Sequence, residues 1–119
     1  MQQEPPGLNV SSQGDVTIVE LTDRKILDEI SIAQIGERLQ GLVAQADAPR
    51  FILDFSSVGH MSSSALGMLI TVHKRIREKR GELRLSGIQP PIHEVFVITR
   101  LNEIFQICES KDDALRTLN

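Results

Sequence analysis

Three consecutive serines, Ser62 to Ser64, are the residues of this chain that could most readily carry chemistry. They follow an apolar run, Phe51 to Phe55, and a polar connection, Ser56 to His60, and they precede a segment with helical apolar spacing. This order predicts a buried strand, a short turn and a helix that begins at the serines. The first N–H groups of a helix lack intrahelical partners and lie at the positive end of its dipole, so this position accepts a capping hydroxyl or a phosphate.

The serine cluster has three interpretations. As a regulatory phosphosite, it would carry a charge that need not destabilise the fold at a helix start and that acts on a partner instead. As a cap, one serine would only accept a hydrogen bond from the first turn. As a nucleophile, a serine would need glycines two residues before and two after it, and no serine here has both. No Ser-His-Asp set can be placed either, so we expect that the protein is not an enzyme and has no catalytic residues.

The histidines and the single cysteine do not form a metal-binding pattern. His60, His73 and His93 are widely spaced, and Cys108 cannot form an internal disulfide, so we expect no metal site and a reducing, cytoplasmic setting. His73 lies on an apolar face and is predicted at the edge of the core. His60 is either an ordinary loop residue or a contact for a phosphate or a partner. Neither glycine-rich phosphate motif is present, so we expect no cofactor, and any ATP must be bound by another protein.

Composition and charge fit a soluble single domain. The 119 residues are 40% hydrophobic and 24% charged, but only 3% are aromatic, so the core must consist mainly of Ile, Leu and Val. The net charge of −3 argues against nucleic-acid binding, and the basic run from Lys74 to Arg80 is interpreted as a solvated helix face. No apolar stretch reaches the roughly 20 residues that cross a membrane. We expect a flexible lead-in at residues 1–7 and one domain at residues 8–119.

The remaining chain predicts alternating strands and helices. A hairpin of Leu8–Ser12 and Val16–Leu21 turns at Gly14-Asp15, and a polar loop, Thr22–Lys25, leads to a helix that Asp28 caps. That helix is expected to end near Ala46. The other expected elements are a central strand at Arg50–Phe55, helices at Ser63–Lys79 and Ile92–Thr99, strands at Glu82–Ser86 and Ile104–Cys108, and a last helix capped by Ser110. This order predicts an α/β fold with a central mixed β-sheet, an N-terminal hairpin and about four α-helices.

The segment Leu53 to Gly67 resembles the STAS domain family, whose bacterial members include anti-sigma factor antagonists. The family pattern is an apolar strand, a short loop, and Asp-Ser-Ser/Thr-Gly-Leu-Gly at the start of a helix. The similarity extends from about Leu8 to Leu118 and includes Leu27-Asp28 before the first helix and Leu101–Ile107 near the end. The resemblance implies a STAS-like fold over the whole domain.

The resemblance also implies regulation of transcription by partner switching. In such proteins the unphosphorylated antagonist binds an anti-sigma factor that is also a serine kinase, phosphorylation breaks the complex, and a serine phosphatase restores it. By position the acceptor would be Ser63, with Ser62 and Ser64 as the other options. The resemblance also places Asp28 on the partner-facing surface. We expect the partner to bind these residues: Asp28, His60, Ser62, Ser63, Ser64, Ala65 and Met68.

Two residues depart from the family pattern. Ser62 stands where the family usually has Asp, which removes a charge beside the acceptor, and Ala65 stands where it usually has Gly, which adds a methyl where a kinase would approach closely. The alternative function is a scaffold, as in stressosome-like STAS proteins, in which exposed Met68 and Val72 contact another copy. We expect a monomer or a weak dimer.

Overall fold

A five-stranded mixed β-sheet lies at the centre of the fold. The structure is a computed structural model and describes residues 7–118. The strands are β1 (Leu8–Gln13), β2 (Val16–Leu21), β3 (Lys25–Ile26), β4 (Arg50–Asp54), β5 (His60–Met61), β6 (Glu82–Ser86) and β7 (Gln106–Cys108). The helices are α1 (Glu29–Gln45), α2 (Ser63–Glu78), α3 (Pro90–Ile98), α4 (Lys111–Leu118) and a 3-10 turn at Leu101–Glu103. The main sheet has the order β1-β2-β4-β6-β7, in which only the β1–β2 pair is antiparallel. The predicted fold class is therefore confirmed.

The hairpin and the central strand follow the sequence pattern. Gly14 adopts a positive φ of 62° at the tight turn between β1 and β2. Strand β4 pairs with β2 on one side and β6 on the other, and its residues Phe51, Ile52 and Leu53 are at most 1% exposed. A strand that is covered on both faces needs apolar residues in succession rather than in alternation.

Helices cover both faces of the sheet. On one face, Phe51 and Leu53 pack with the buried residues of α1, α2 and α3. On the other face, Ile52 packs with Ala114 and Leu118 of α4. Ser110 caps α4 as predicted, because its Oγ accepts a hydrogen bond from the Asp113 N–H at 3.1 Å.

Helices α1 and α2 lie side by side and run in the same direction. Near their starts, the Ser64 hydroxyl donates to the Glu29 carboxylate at 3.0 Å. Near their ends, the Lys79 ammonium donates to the carbonyls of Val43 and Ala44 at 3.0 and 2.9 Å. The last turn of α1 has no basic residue of its own, so Lys79 supplies the positive charge that stabilises the C-terminal end of a helix.

The structure corrects the last predicted strand, which starts at Gln106 rather than at Ile104. The N–H groups of Ile104 and Phe105 donate to the Leu101 carbonyl at 3.0 and 2.9 Å, so these residues belong to the turn that precedes the strand. Phe105 is buried there, whereas Ile104 is 49% exposed.

Three smaller differences concern element boundaries. Two short strands, β3 and β5, were not predicted, and they begin at the last residues of the predicted loop Thr22–Lys25 and of the polar connection Ser56–His60. The third helix begins two residues early, since prolines are tolerated in its first turn. The lead-in expected for residues 1–7 lies outside the described residues except for Gly7, which is buried and accepts a hydrogen bond from the Thr22 N–H at 2.9 Å.

Candidate functional site

The serine cluster lies where β5 leads into α2, beside the start of α1. Strands β3 and β5 pair in parallel, with Ile26 opposite Met61. The N–H groups of Gly59 and His60 donate to the Arg24 carbonyl at 2.8 and 3.1 Å, and the Ser62 N–H donates to the Ile26 carbonyl at 3.1 Å. These hydrogen bonds hold the chain segments that enter α1 and α2 side by side, so the two helices begin at the same end of the domain.

The three serines have different roles at the start of α2. Ser62 is the N-cap: its Oγ accepts a hydrogen bond from the Ala65 N–H at 3.2 Å, and the side chain is half-buried. The Ser64 hydroxyl donates a hydrogen bond to the Glu29 carboxylate. Ser63 is the first helical residue, its side chain is exposed, and its hydroxyl makes no hydrogen bond to any other residue between 7 and 118. Of the two exposed serines of this cluster, Ser63 is therefore the one whose hydroxyl is not engaged by another described residue.

This difference between neighbouring serines can be measured. Replacing Ser62 by alanine removes the cap, and we expect it to lower the free energy of unfolding by about 1 kcal/mol. Replacing Ser63 by alanine removes an exposed hydroxyl without a protein partner, and we expect a change within about 0.5 kcal/mol. Urea denaturation of the two variants measures both values. Equal losses would contradict the capping role of Ser62.

Asp28 and His60 lie at the same end of the domain as the serines. Asp28 is the N-cap of α1, as predicted, and its Oδ2 accepts a hydrogen bond from the Ser31 N–H at 2.9 Å. His60 is exposed and lies opposite Lys25 in the β3–β5 pair. Because α1 and α2 begin side by side, both residues are on the surface that surrounds Ser63.

One residue expected on the partner-facing surface, and one expected to contact another copy, belong to the interior instead. Ala65 is fully buried, so its methyl group packs inside the domain and cannot crowd a kinase. Val72, the expected contact for a second copy, is 1% exposed. Met68 is half-buried and lies against α1, where a Cβ added to Gly36 would be 2.9 Å from its Cγ. The apolar face of α2 is wider than predicted because it packs against both the sheet and α1.

Two exposed apolar side chains beside Asp28 were missed by the sequence analysis. Leu27 is 49% exposed and Ile30 is 69% exposed. The signal was present in the sequence, because Ile30 does not share the spacing of the buried positions Ile32, Ile35 and Leu39. Exposed apolar residues close to a polar site are typical of a surface that binds another protein.

A buried carboxylate supports the loop that leads to the serines. Asp54, at the end of β4, is 4% exposed, and its Oδ1 accepts hydrogen bonds from the hydroxyls of Ser56 and Ser86 at 3.0 and 3.1 Å. The Gln89 amide donates to the Ser56 carbonyl at 2.7 Å. Gly87 has a positive φ of 68°, and an added Cβ would lie 2.7 Å from the Asp54 carboxylate. These contacts fix the loop from Ser56 to Gly59 and so fix the direction from which the chain enters α2.

Between residues 7 and 118, no group of three or more His, Cys, Asp or Glu side chains is arranged to hold a metal ion. No helix in this range is long and apolar enough to cross a membrane.

The fold and the site together define an α/β domain whose exposed features are a serine at a helix start and a neighbouring apolar surface. Residues 8–114 match the model of the STAS domain family. The chain belongs to this family.

Two curated relatives are named as regulators of sigma factors. BtrV of Bordetella bronchiseptica, provisionally assigned as an anti-sigma factor antagonist, is 35% identical over 82 residues, which are 66% of this chain and 71% of BtrV. The anti-sigma F factor antagonist of Paenibacillus polymyxa is 25% identical over 103 residues, which are 87% of this chain and 86% of that protein.

Solved structures share the fold at lower sequence identity. An anti-sigma-factor antagonist (STAS) domain protein from Planctomyces limnophilus has a TM-score of 0.85 and 23% identity, with 92% of this chain and 96% of that chain covered. The Bacillus cell fate determinant SpoIIAA in its phosphorylated form has a TM-score of 0.72 and 15% identity, with coverages of 94% and 99%. At these identities the likeness shows the fold.

Proposed function

We propose that this protein is a cytoplasmic anti-sigma factor antagonist that binds an anti-sigma factor serine kinase and is released when Ser63 is phosphorylated. The observation that carries the proposal is the exposed Ser63 hydroxyl at the start of α2. The names of the curated relatives support the antagonist role. The phosphorylated form of SpoIIAA supports the compatibility of this fold with a bound phosphate.

Ser63 is the best acceptor of the three serines because its neighbours are otherwise engaged. The Ser62 oxygen already accepts the capping hydrogen bond and is half-buried, so a kinase has less access to it. A phosphate on Ser64 would replace its hydrogen bond to Glu29 with repulsion between two negative groups. Ser63 has neither the restricted access of Ser62 nor the charge repulsion that a phosphate on Ser64 would meet.

Phosphorylation at this position would change binding more than folding. A phosphoserine carries about −1.5 to −2 charges, and the positive end of the α2 dipole stabilises a negative group in the first turn. A partner that covers Ser63 would instead have to accommodate a desolvated dianion. A mismatched charge of this kind in an interface costs several kcal/mol, so the phosphate would release the partner while the domain stays folded.

The partner-facing surface in this proposal surrounds Ser63 and includes the exposed side chains of α1. It consists of Asp28, His60, Ser63 and Ser64 together with Leu27 and Ile30. A serine phosphatase would remove the phosphate and restore binding. The active form would be the single domain, as a monomer or a weak dimer, and the partner would supply the ATP.

The test uses the kinase, ATP and two variants of the acceptor. Mass spectrometry after incubation is expected to find one phosphate, at Ser63. In a pull-down, Ser63→Ala is expected to retain the kinase, whereas Ser63→Asp should weaken binding about tenfold, since aspartate supplies only one negative charge.

Ser12→Asp is the matched control for this experiment. Ser12 is also an exposed serine, but it pairs with Thr17 near the hairpin turn, at the other end of the sheet. The same charge change there should leave binding unchanged. Phosphate elsewhere than Ser63, or equal binding by Ser63→Asp and wild type, would refute the proposed switch.

A further inference from the structure

A wide cleft lies far from the serine cluster, at the C-terminal end of α2. It has a volume of about 920 Å³ and is bounded by the second half of α2, β6, the 3-10 turn and β7. At about 1.5 Å per residue, Arg77 in this cleft lies roughly 20 Å along α2 from Ser63. The proposed function therefore does not account for the cleft.

Arginines line this cleft, and two of them have no acidic partner. Arg84 is buried and donates to Glu82 at 2.8 Å and to the Thr117 hydroxyl at 2.9 Å, so its charge is largely balanced. Arg77 and Arg80 are exposed, and neither has a carboxylate within 4 Å among residues 7–118. The other acidic residue of the lining, Glu103, is exposed. Two uncompensated guanidinium groups thus line one cleft of a chain whose net charge is −3.

The part of the cleft between α2 and the 3-10 turn is lined by polar side chains and by the ring of Phe105. His73 lies against the ring of Phe105, with 5.0 Å between the ring centres. Burial and the positive charge of Arg77 lower the pKa of His73, which favours the neutral imidazole. The side-chain amides of Asn102 and Gln106 complete a lining that offers hydrogen-bond donors in addition to charge.

Arg80 occupies a backbone position that normally favours glycine. Its φ is 60°, and it follows the C-cap of α2, where the Gly81 N–H donates to the Ile76 carbonyl at 2.8 Å. This is the helix ending in which a left-handed residue is usually glycine, because a side chain there is strained. Arg100 shares this conformation outside the cleft, so the two arginines differ in their position relative to the cleft and not in their backbone strain.

We propose that this cleft binds a small phosphate-bearing anion through the guanidinium groups of Arg77 and Arg80. A guanidinium group offers paired N–H donors that match two phosphate oxygens, and two such groups suit a ligand with more than one phosphate group. Asn102 and Gln106 would donate to the remaining oxygens. The occupied cleft would be a second binding site, at the end of α2 opposite to Ser63.

The test compares Arg80→Gly with Arg100→Gly, using pyrophosphate as the probe. Arg100 is an exposed arginine with nearly the same φ, 62°, but it does not line the cleft. Both replacements relieve the same strain, and each is expected to raise the melting temperature by about 4 °C. Only Arg80→Gly is expected to weaken pyrophosphate binding, by about tenfold or more in isothermal titration calorimetry at constant ionic strength.

Arg77→Gln provides a second variant of the cleft, and it should also lose about tenfold in affinity. The site is supported if wild type and Arg100→Gly bind pyrophosphate equally tightly. Both cleft variants, Arg80→Gly and Arg77→Gln, must then bind it more weakly. The proposal is overturned if wild type shows no saturable binding of pyrophosphate, or if Arg80→Gly binds it as tightly as wild type does.

Discussion

Replacing Gly81 by alanine is expected to lower the free energy of unfolding by about 3 kcal/mol, at the upper end for an added methyl group in a packed site. Gly81 lies at the junction between α2 and β6. A Cβ there would be 2.2 Å from the Pro49 carbonyl oxygen and 2.9 Å from Cγ2 of Ile76. The carbonyl belongs to the backbone and cannot rotate away, so the strand that it precedes must shift. Urea denaturation monitored by circular dichroism measures the loss.

Gly41→Ala is the matched control for this prediction. Gly41 is an exposed position within α1, and a Cβ added there would meet no atom within 4 Å. Alanine is favoured over glycine inside helices, so this variant should be more stable than wild type by about 0.5–1 kcal/mol. If Gly81→Ala were as stable as wild type, the close packing of Gly81 against Pro49 in the structure would be contradicted.

Replacing Phe96 by alanine is expected to cost about 4 kcal/mol of stability. Phe96 in α3 is fully buried, and its ring packs edge-on against Phe55 and Phe105, with 6.5 and 5.8 Å between ring centres. The chain has only four phenylalanines and no other large aromatic residues. Three of the four meet here, so the loss of the Phe96 ring leaves a large cavity within this aromatic cluster. Thermal and urea denaturation should both show the loss.

The adjacent residue provides the control for Phe96. Val97 is 46% exposed on the same helix, so Val97→Ala is expected to change the free energy of unfolding by no more than about 0.5 kcal/mol. Similar losses in the two variants would mean that helix propensity, rather than the aromatic cluster, accounts for the effect.

The sequence predicted those features that depend on local chemistry. The caps at Asp28 and Ser110 could be read from their positions, because an N-cap bonds only to the first turn of its own helix. The central strand could be predicted because Phe51, Ile52 and Leu53 form the continuous apolar run that a strand covered on both faces needs. The start of α2 was predicted for the same local reasons, and it places Ser63 on the surface.

The features that the sequence could not predict join distant segments. The Ser64–Glu29 hydrogen bond spans 35 residues, and β3 and β5 have only two residues each, too few to show a period. Val72 was predicted as exposed although it lies three residues after Leu69 and four before Ile76, which are both buried. This spacing is the signal of one shared buried face, so for Val72 the sequence did contain the information that the prediction overlooked.

The short β3–β5 pair has a consequence for the kinetics and thermodynamics of docking. The amides of Gly59, His60 and Ser62 are all bonded to the chain that precedes α1, so the surface around Ser63 is preorganised before a partner arrives. A rigid surface loses little conformational entropy on association, and more of the contact energy is then realised as affinity. A single covalent group placed on such a surface cannot be accommodated by loop movement, and its effect should therefore appear mainly in the dissociation rate.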